Sequence, residues 1–364
     1  MSAPVLSTRE LNRATLARQL LLERSAPAVP AAVERLGGMQ AQEPKHPFIG
    51  LWTRVCDFSA DALLEAIAER AVVRATLMRS TLHLCSAADF LALRMALQPP
   101  PSVALRVLGA RAEGLDPEAV VPAARELLAG NPLAFDAIRE GLVERFPDVN
   151  DRALGYAART LVALVMVPGE GRWGYPRVAR FGLAEELLDA RLAPAAPEAL
   201  AERYLGAFGP ASAADVQTWS GVGGMKAVLD GMRDRLEVFA DERGRELFDL
   251  PDAPRPDAGV PPPPRFLPEF DNLVLAYDDG SRVIADEHRP RVTTKNLRVK
   301  ATFLVDGVVA GIWTLAVKRR VATLTLEPFG KLTKRVVKEL AAEGEALARF
   351  AEPDAKDHAV VVAR

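Results

Sequence analysis

Cysteine and histidine are scarce in this chain. Only two cysteines, Cys56 and Cys85, and four histidines occur in 364 residues, and neither cysteine belongs to a Cys-x-x-Cys pair. That argues against a disulfide framework and against a zinc site, so neither a metal nor another cofactor is expected. Long apolar runs are missing too: none reaches the roughly 20 residues of a bilayer-crossing helix. Residues 1–10 lack the basic flank and apolar stretch of a secretory signal. A cytoplasmic protein without membrane contact is expected. Nor is there an excess of one charge: the formal net charge is −2, whereas nucleic-acid binders usually carry a basic surplus.

The average conceals an asymmetry. Residues 291–338 hold eleven Lys or Arg against two acids, Asp306 and Glu327, while residues 236–290 hold thirteen acids against six bases. A basic segment in an acidic chain can present a local positive face. Hydrophobic residues make up 49%, enough for a sizeable core, and the length allows two to four compact units.

Along the chain, helical and extended patterns alternate. A hydroxyl cap at Ser7-Thr8 precedes Leu11, Leu16, Leu20 and Leu21 at helical spacing, and a second short helix over 31–36 runs into Gly37-Gly38. Residues 60–70 form a helix buried through Leu63, Leu64 and Ile67, residues 72–85 read as two short strands, and Ser86 opens another helix. Helices followed by a strand pair is the order of a winged helix. The order recurs: helices from 131 to 146 and 151 to 163 precede strands at 164–167 and 172–175, and helices between 201 and 236 precede strands at 235–239 and 246–250. Proline dominates 251–268, as in a linker or extended wrap. The last hundred residues turn to β patterns, with a hairpin at Asp306-Gly307, a second turning at Lys318-Arg319-Arg320, and a closing helix over 331–350. The expected fold is therefore mainly α with β wings: three tandem winged helix-turn-helix units at 1–112, 113–196 and 197–258, and a barrel-like β-rich unit at 259–364.

The chemistry points to amides. Gln40 and Gln42 lie in Gly37-Gly38-Met39-Gln40-Ala41-Gln42, with Pro44 just after. Two apart, they face one side of an extended chain, whereas on a helix they would diverge. A carboxamide does not titrate near neutrality, so it is no general base. It can orient a water and set its carbonyl dipole against positive charge. That suits a substrate whose leaving group is already activated. An N7- or N3-alkylated purine is cationic and leaves without a general acid, through an oxocarbenium-like transition state.

These residues, with Leu51-Trp52-Thr53-Arg54-Val55, the run from Arg74 to His83, and Phe266-Leu267-Pro268-Glu269-Phe270-Asp271, resemble the winged-helix DNA glycosylases of the AlkZ and YcaQ type. The resemblance spans nearly the whole chain. It implies that Gln40 and Gln42 are the catalytic pair. Asp at the second position resembles YcaQ and Gln resembles AlkZ, so Gln42 places the chain on the AlkZ-like side, a branch linked to bulky alkylating natural products and their cross-links. The expected substrate is double-stranded DNA carrying alkylated bases, handled by a monomer. No lysine is marked by spacing as a Schiff-base nucleophile, so a monofunctional enzyme leaving an abasic site is expected.

A strand through 74–83 would set Arg79, Thr81 and His83 on one face and Arg74, Thr76, Met78 and Ser80 on the other. Arg74, Arg79 and His83 are candidate DNA contacts, as are Lys318, Arg319 and Arg320 at a hairpin tip and Lys331 and Lys334 on the closing helix. The plainer readings are a core-edge histidine, a salt-bridged arginine and solvated charges. Trp173 and Trp219 sit in apolar patterns as core residues. Gly221-Val222-Gly223-Gly224 has no strand before it and no Lys-Ser/Thr after it, so it is not a phosphate loop. The alternative to an enzyme is a non-catalytic DNA-binding protein, a regulator or lesion binder; a third reading is a protein that sequesters the free alkylating compound.

Overall fold

The computed structural model describes residues 3–98, 101–296 and 298–363. Its architecture is mixed α/β, with helices around three sheets. The first helix, Thr8–Arg18, starts at a reciprocal cap: Ser7 Oγ accepts from the Glu10 amide, and the Glu10 carboxylate accepts from the Ser7 amide. This helix is unusually polar for a buried one, with Asn12, Arg13 and Arg18 all inside. Arg18 forks onto Asp249 at 2.6 and 2.8 Å, Arg13 reaches Asp306 at 2.6 Å, and Asn12 donates to the carbonyls of Arg282 and Gly307.

The largest sheet is antiparallel and has six strands, ordered Met39–Gln40, Leu82–Ser86, Val72–Thr76, Leu164–Met166, Arg180–Leu183, Leu133–Ala134. Ala75 opposite Val165 joins the first strand pair to the second. The partner of Leu164–Met166 is Arg180–Leu183, not the expected 172–175. That stretch instead closes a tight turn, with the Gly174 amide on the Gly171 carbonyl at 3.0 Å and Gly174 at φ 77°. Arg172 turns away to the carbonyl of Ala351.

A three-stranded sheet pairs Val5–Leu6 in parallel with Glu237–Asp241, which pairs with Glu246–Asp249. The helices Pro197–Phe208, Ala213–Ser220 and Met225–Gly231 precede that hairpin. The proline-rich stretch wraps back over the first helix, accepting from Arg9 at Ala258 and from Arg13 at Val260.

The C-terminal sheet has the order Arg265–Leu267, Thr302–Val305, Val308–Lys318, Val321–Pro328, Asp357–Val362. Asp306 and Gly307 both take positive φ in the first hairpin, the two-residue turn expected of Asp-Gly. The sheet is open where a barrel-like form was expected. Its last strand runs parallel to its neighbour, which requires a crossover. The helix Lys334–Ala351 is that crossover, and it covers one face through Leu340, Leu347 and Ala348 against Phe266, Leu324 and Trp313. It begins three residues later than expected because Thr333 caps it through the Val336 amide. The acids of 236–290 also find a use: Asp249, Asp271, Asp241, Asp279 and Glu269 each hold an arginine.

Candidate active site around Gln40 and Gln42

The helix Val29–Arg35 ends in two glycines with positive φ, Gly37 at 68° and Gly38 at 77°. Their amides return to the carbonyls of Glu34 and Val33. A Cβ on Gly38 would meet the Leu84 carbonyl and Met78 Cε at 3.3 Å. The turn thus needs glycine, and it delivers the chain into the short strand Met39–Gln40. There Gln40 faces His83 across the sheet edge; the strand ends at Gln40, and Gln42 follows in a bend, so only the first glutamine of the pair has the extended setting expected. Gln40 is 7% exposed and Gln42 lies open to solvent.

Both side-chain oxygens already have donors. Gln40 Oε1 accepts from Arg79 Nη2 at 3.0 Å, and Gln42 Oε1 accepts from the Leu82 amide at 3.1 Å. Arginine and backbone N–H groups only donate, so the amide orientations follow from chemistry. Each oxygen keeps a second lone pair, and each NH2 is without a partner among the described residues.

The motif's backbone is clamped. Arg74 Nε donates to the Ala41 carbonyl at 2.8 Å and Nη2 to the Gln42 carbonyl at 2.9 Å, while its guanidinium lies over Tyr175. Arg74 was expected at the DNA surface. It is buried instead and holds the strand that carries the glutamines. On the other side, Asn272 Nδ2 donates to the Gly38 carbonyl at 2.9 Å. Asn272 follows Asp271, which is locked by two bonds of 2.8 and 2.9 Å to buried Arg54. Arg54 and Asp271 stood in stretches that served only to mark the family resemblance. No single-sequence signal pairs residues so far apart in the chain.

The expected alternation through 74–83 is broken, because 78–80 form a 3-10 turn between the two strands. Arg79 sits in that turn at φ 53° and donates to the carbonyl of Trp219 as well as to Gln40. Burial lowers its pKa to about 10. The turn fits because residue 221 is glycine: a Cβ there would lie 3.2 Å from Arg79 Cα. His83 was a candidate DNA contact, yet it is fully buried. Its Nδ1 lies 3.0 Å from the Thr81 carbonyl, and Nε2 has no partner. Burial, helped by the charge of Arg79, lowers its pKa to about 3, so it is neutral.

The remaining candidates lie elsewhere. Lys318, Arg319 and Arg320 form the tip of the long hairpin, all exposed, with the two arginines at φ 51° and 63°. Exposed Lys331 precedes the helix Lys334–Ala351, and Lys334 starts it. That helix has no acid in its first turn, so its positive end carries added positive charge, a setting that favours a bound anion. Trp219 is core, whereas Trp173 is half-buried against Phe48, with ring centroids 4.9 Å apart. No cluster of three or more His, Cys, Asp or Glu side chains suited to a metal is present among the described residues, nor is any helix there long and apolar enough to cross a membrane.

The family described as DNA glycosylase AlkZ-like matches residues 33–350. The chain belongs to the AlkZ-like DNA glycosylase family. Its fold is similar to that of the Streptomyces sahachiroi DNA glycosylase AlkZ, with a TM-score of 0.79 over 99% of this chain and 100% of that one, at 23% sequence identity. Among curated proteins no match was found. Membership makes damaged DNA the substrate class and agrees with the resemblance carried by the Gln-x-Gln motif. Around the two glutamines lie a backbone clamped by Arg74 and Asn272, a neutral His83, and two carboxyl side chains, Asp271 held by Arg54 and the exposed Glu43.

Proposed function

We propose that this protein hydrolyses the N-glycosidic bond of purines made cationic by alkylation at N7 or N3, bulky adducts and cross-links included. Gln40 and Gln42 orient the attacking water and stabilise the sugar cation. The observation that carries the reading is the amide motif with its backbone clamped by Arg74 and Asn272, whose neighbour His83 stays neutral at working pH. Such a site has little means to protonate a leaving base, and a cationic purine needs no such help. Electrostatic orientation of this kind is typically worth about 10²–10³ in rate per donor lost.

In this reading the exposed cations Lys318, Arg319, Arg320, Lys331 and Lys334 hold phosphates. Arg79 lies close enough to serve both the amide and a phosphate, and Arg74 and His83 support the motif from inside. We take the enzyme to act as a monomer on duplex DNA in the cytoplasm, to leave an abasic site, and to draw on no metal or cofactor. The three helical groupings at 1–112, 113–196 and 197–258, each with its hairpin, and the sheet unit at 259–364 are the division we propose.

The test is base release from duplexes carrying N7-methylguanine or a bulky N7-guanine adduct, comparing the wild type with Gln40→Ala/Gln42→Ala. Release by the wild type, slowed at least about 100-fold in the variant with duplex binding kept, is expected. No release by the wild type with binding intact would move the reading to a DNA-binding protein without catalysis on these adducts. Equal release by both proteins would take the chemistry away from the amides.

A further inference from the structure

A cavity of about 240 Å3 opens beside the amide motif, with Lys45 and His46 in its wall. Three residues of extended chain span at most about 11 Å, so Lys45 lies within that reach of Gln42. Its lining lies close in sequence to that of the niche over Gln40: Pro268 and Glu269 line the cavity, and Asp271 and Asn272 line the niche. Trp173 and Trp313 of the long C-terminal strand also line it, Trp173 with Phe48 and the Arg172 guanidinium already packed against its ring.

His46 is 3% exposed and its Nδ1 has no hydrogen-bond partner. That nitrogen is sealed even from water, so Nε2, which no described group engages, is the ring atom left to the cavity. Burial holds the ring's pKa at about 4 against the pull of Glu269. At working pH Nε2 therefore offers one donor or one acceptor and no charge. The two carboxylates at the wall are already matched, Glu269 by Arg298 at 2.8 Å and Glu352 by Arg172 at 3.4 Å. Lys45, exposed at the rim, is the wall cation without a carboxylate partner, which disfavours a cation; indole walls and a neutral hydrogen-bonding ring suit an uncharged planar heteroaromatic. The volume equals that of about eight liquid waters, room for a fused two-ring base.

We propose that this cavity receives the alkylated purine base once the glycosidic bond has broken and the bonding pair has left the base neutral, held against the indoles and hydrogen-bonded by His46. The inference rests on the glycosylase reading and adds to it a place for the base outside the helical stack.

Free 7-methylguanine and 3-methyladenine are titrated into the full-length protein, with tryptophan fluorescence as the readout. The wild type is expected to respond saturably. Thr314→Trp, which fills the mouth from an exposed position, and His46→Phe, which keeps a ring but no hydrogen bond, are expected to bind at least ten times more weakly. His46→Gln is expected to recover part of the loss. The absence of any saturable response in the wild type, or equal binding by Thr314→Trp, overturns the proposal. Neither result depends on turnover, so base release from a duplex still judges the glycosylase reading separately.

Discussion

Arg79 Nη2 donates to Gln40 Oε1 at 3.0 Å, and the same guanidinium reaches the carbonyl of Trp219. This one arginine therefore anchors the amide oxygen and leaves its second lone pair for a water. Arg79 and the next residue, Ser80, both hold positive φ, at 53° and 57°. For residues with a Cβ that costs roughly 1–2 kcal/mol each, and such strain persists where surrounding packing enforces it. A guanidinium is an odd neighbour for a developing sugar cation, and the phosphates flanking a lesion can compensate it.

Arg79→Ala is expected to lower the single-turnover rate of base release about 10- to 100-fold, because a charge-assisted bond of about 1.5–3 kcal/mol no longer orients Gln40. Duplex affinity should fall as well, by about three- to tenfold, through the lost phosphate contact. An unchanged rate with weakened affinity would show that Arg79 contacts phosphate alone.

The hairpin tip sets stability against binding. Arg319 and Arg320 occupy a two-residue turn with positive φ at both positions, the geometry that Asn-Gly prefers. Replacing the pair by Asn-Gly should raise stability by about 1–2 kcal/mol. It should also weaken duplex binding and reduce the slope of log affinity against log salt by about 1–2. Denaturant melts and salt titrations check both halves. A salt slope that stays put would remove the tip from the interface.

Acid should destabilise the fold through two histidines. His46 and His83 have pKa values of about 4 and about 3, below the ordinary 6.5, because both are buried. The unfolded chain therefore takes up protons first. Their contribution is complete above about pH 6.5 and is lost as pH falls toward the folded values. At pH 5, 1.5 units below the ordinary value, each should have lost about 2 kcal/mol. Melting temperatures at pH 7.5 and 5.0 test this, and His83→Asn should about halve the difference. No difference between the two pH values in the wild type would refute this account.

The clamp behind Gly38 should behave as a buried pair. Asp271→Ala leaves Arg54 charged and unmatched, at a cost of about 3–5 kcal/mol, whereas Arg54→Met/Asp271→Leu should recover most of it. Chemical denaturation gives the comparison. A double variant as unstable as the single one would mean that the hydrogen bonds to Gln19 and Leu273, not the charges, matter most.

Local chemistry made several elements legible. The cap at Ser7, the strand pair ending at Ser86, the Asp306-Gly307 hairpin and the extended setting of Gln40 all rest on neighbours within a few residues. What was not legible lay in long-range pairing. Arg74 reads as a surface cation until Ala41 and Gln42 are seen to need its donors, and His83 reads as a cleft residue until its full burial is seen. The 172–175 stretch has strand-like residues, yet Gly174 turns it back on Gly171. The 3-10 turn at Arg79 depends on the glycine at 221 from a distant helix end.

The first helix has a further consequence, for synthesis of the chain. Its buried Asn12, Arg13 and Arg18 find their partners among residues 205–307. At about 5–20 residues per second, a ribosome needs roughly 10–60 s to make the 187 to 295 residues that intervene. For that interval the helix has its polar groups made and nothing to bury them against. Vectorial folding from the N-terminus is thus denied to this protein. Its opening segment must stay hydrated, or held by a chaperone, until the C-terminal sheet emerges to receive it.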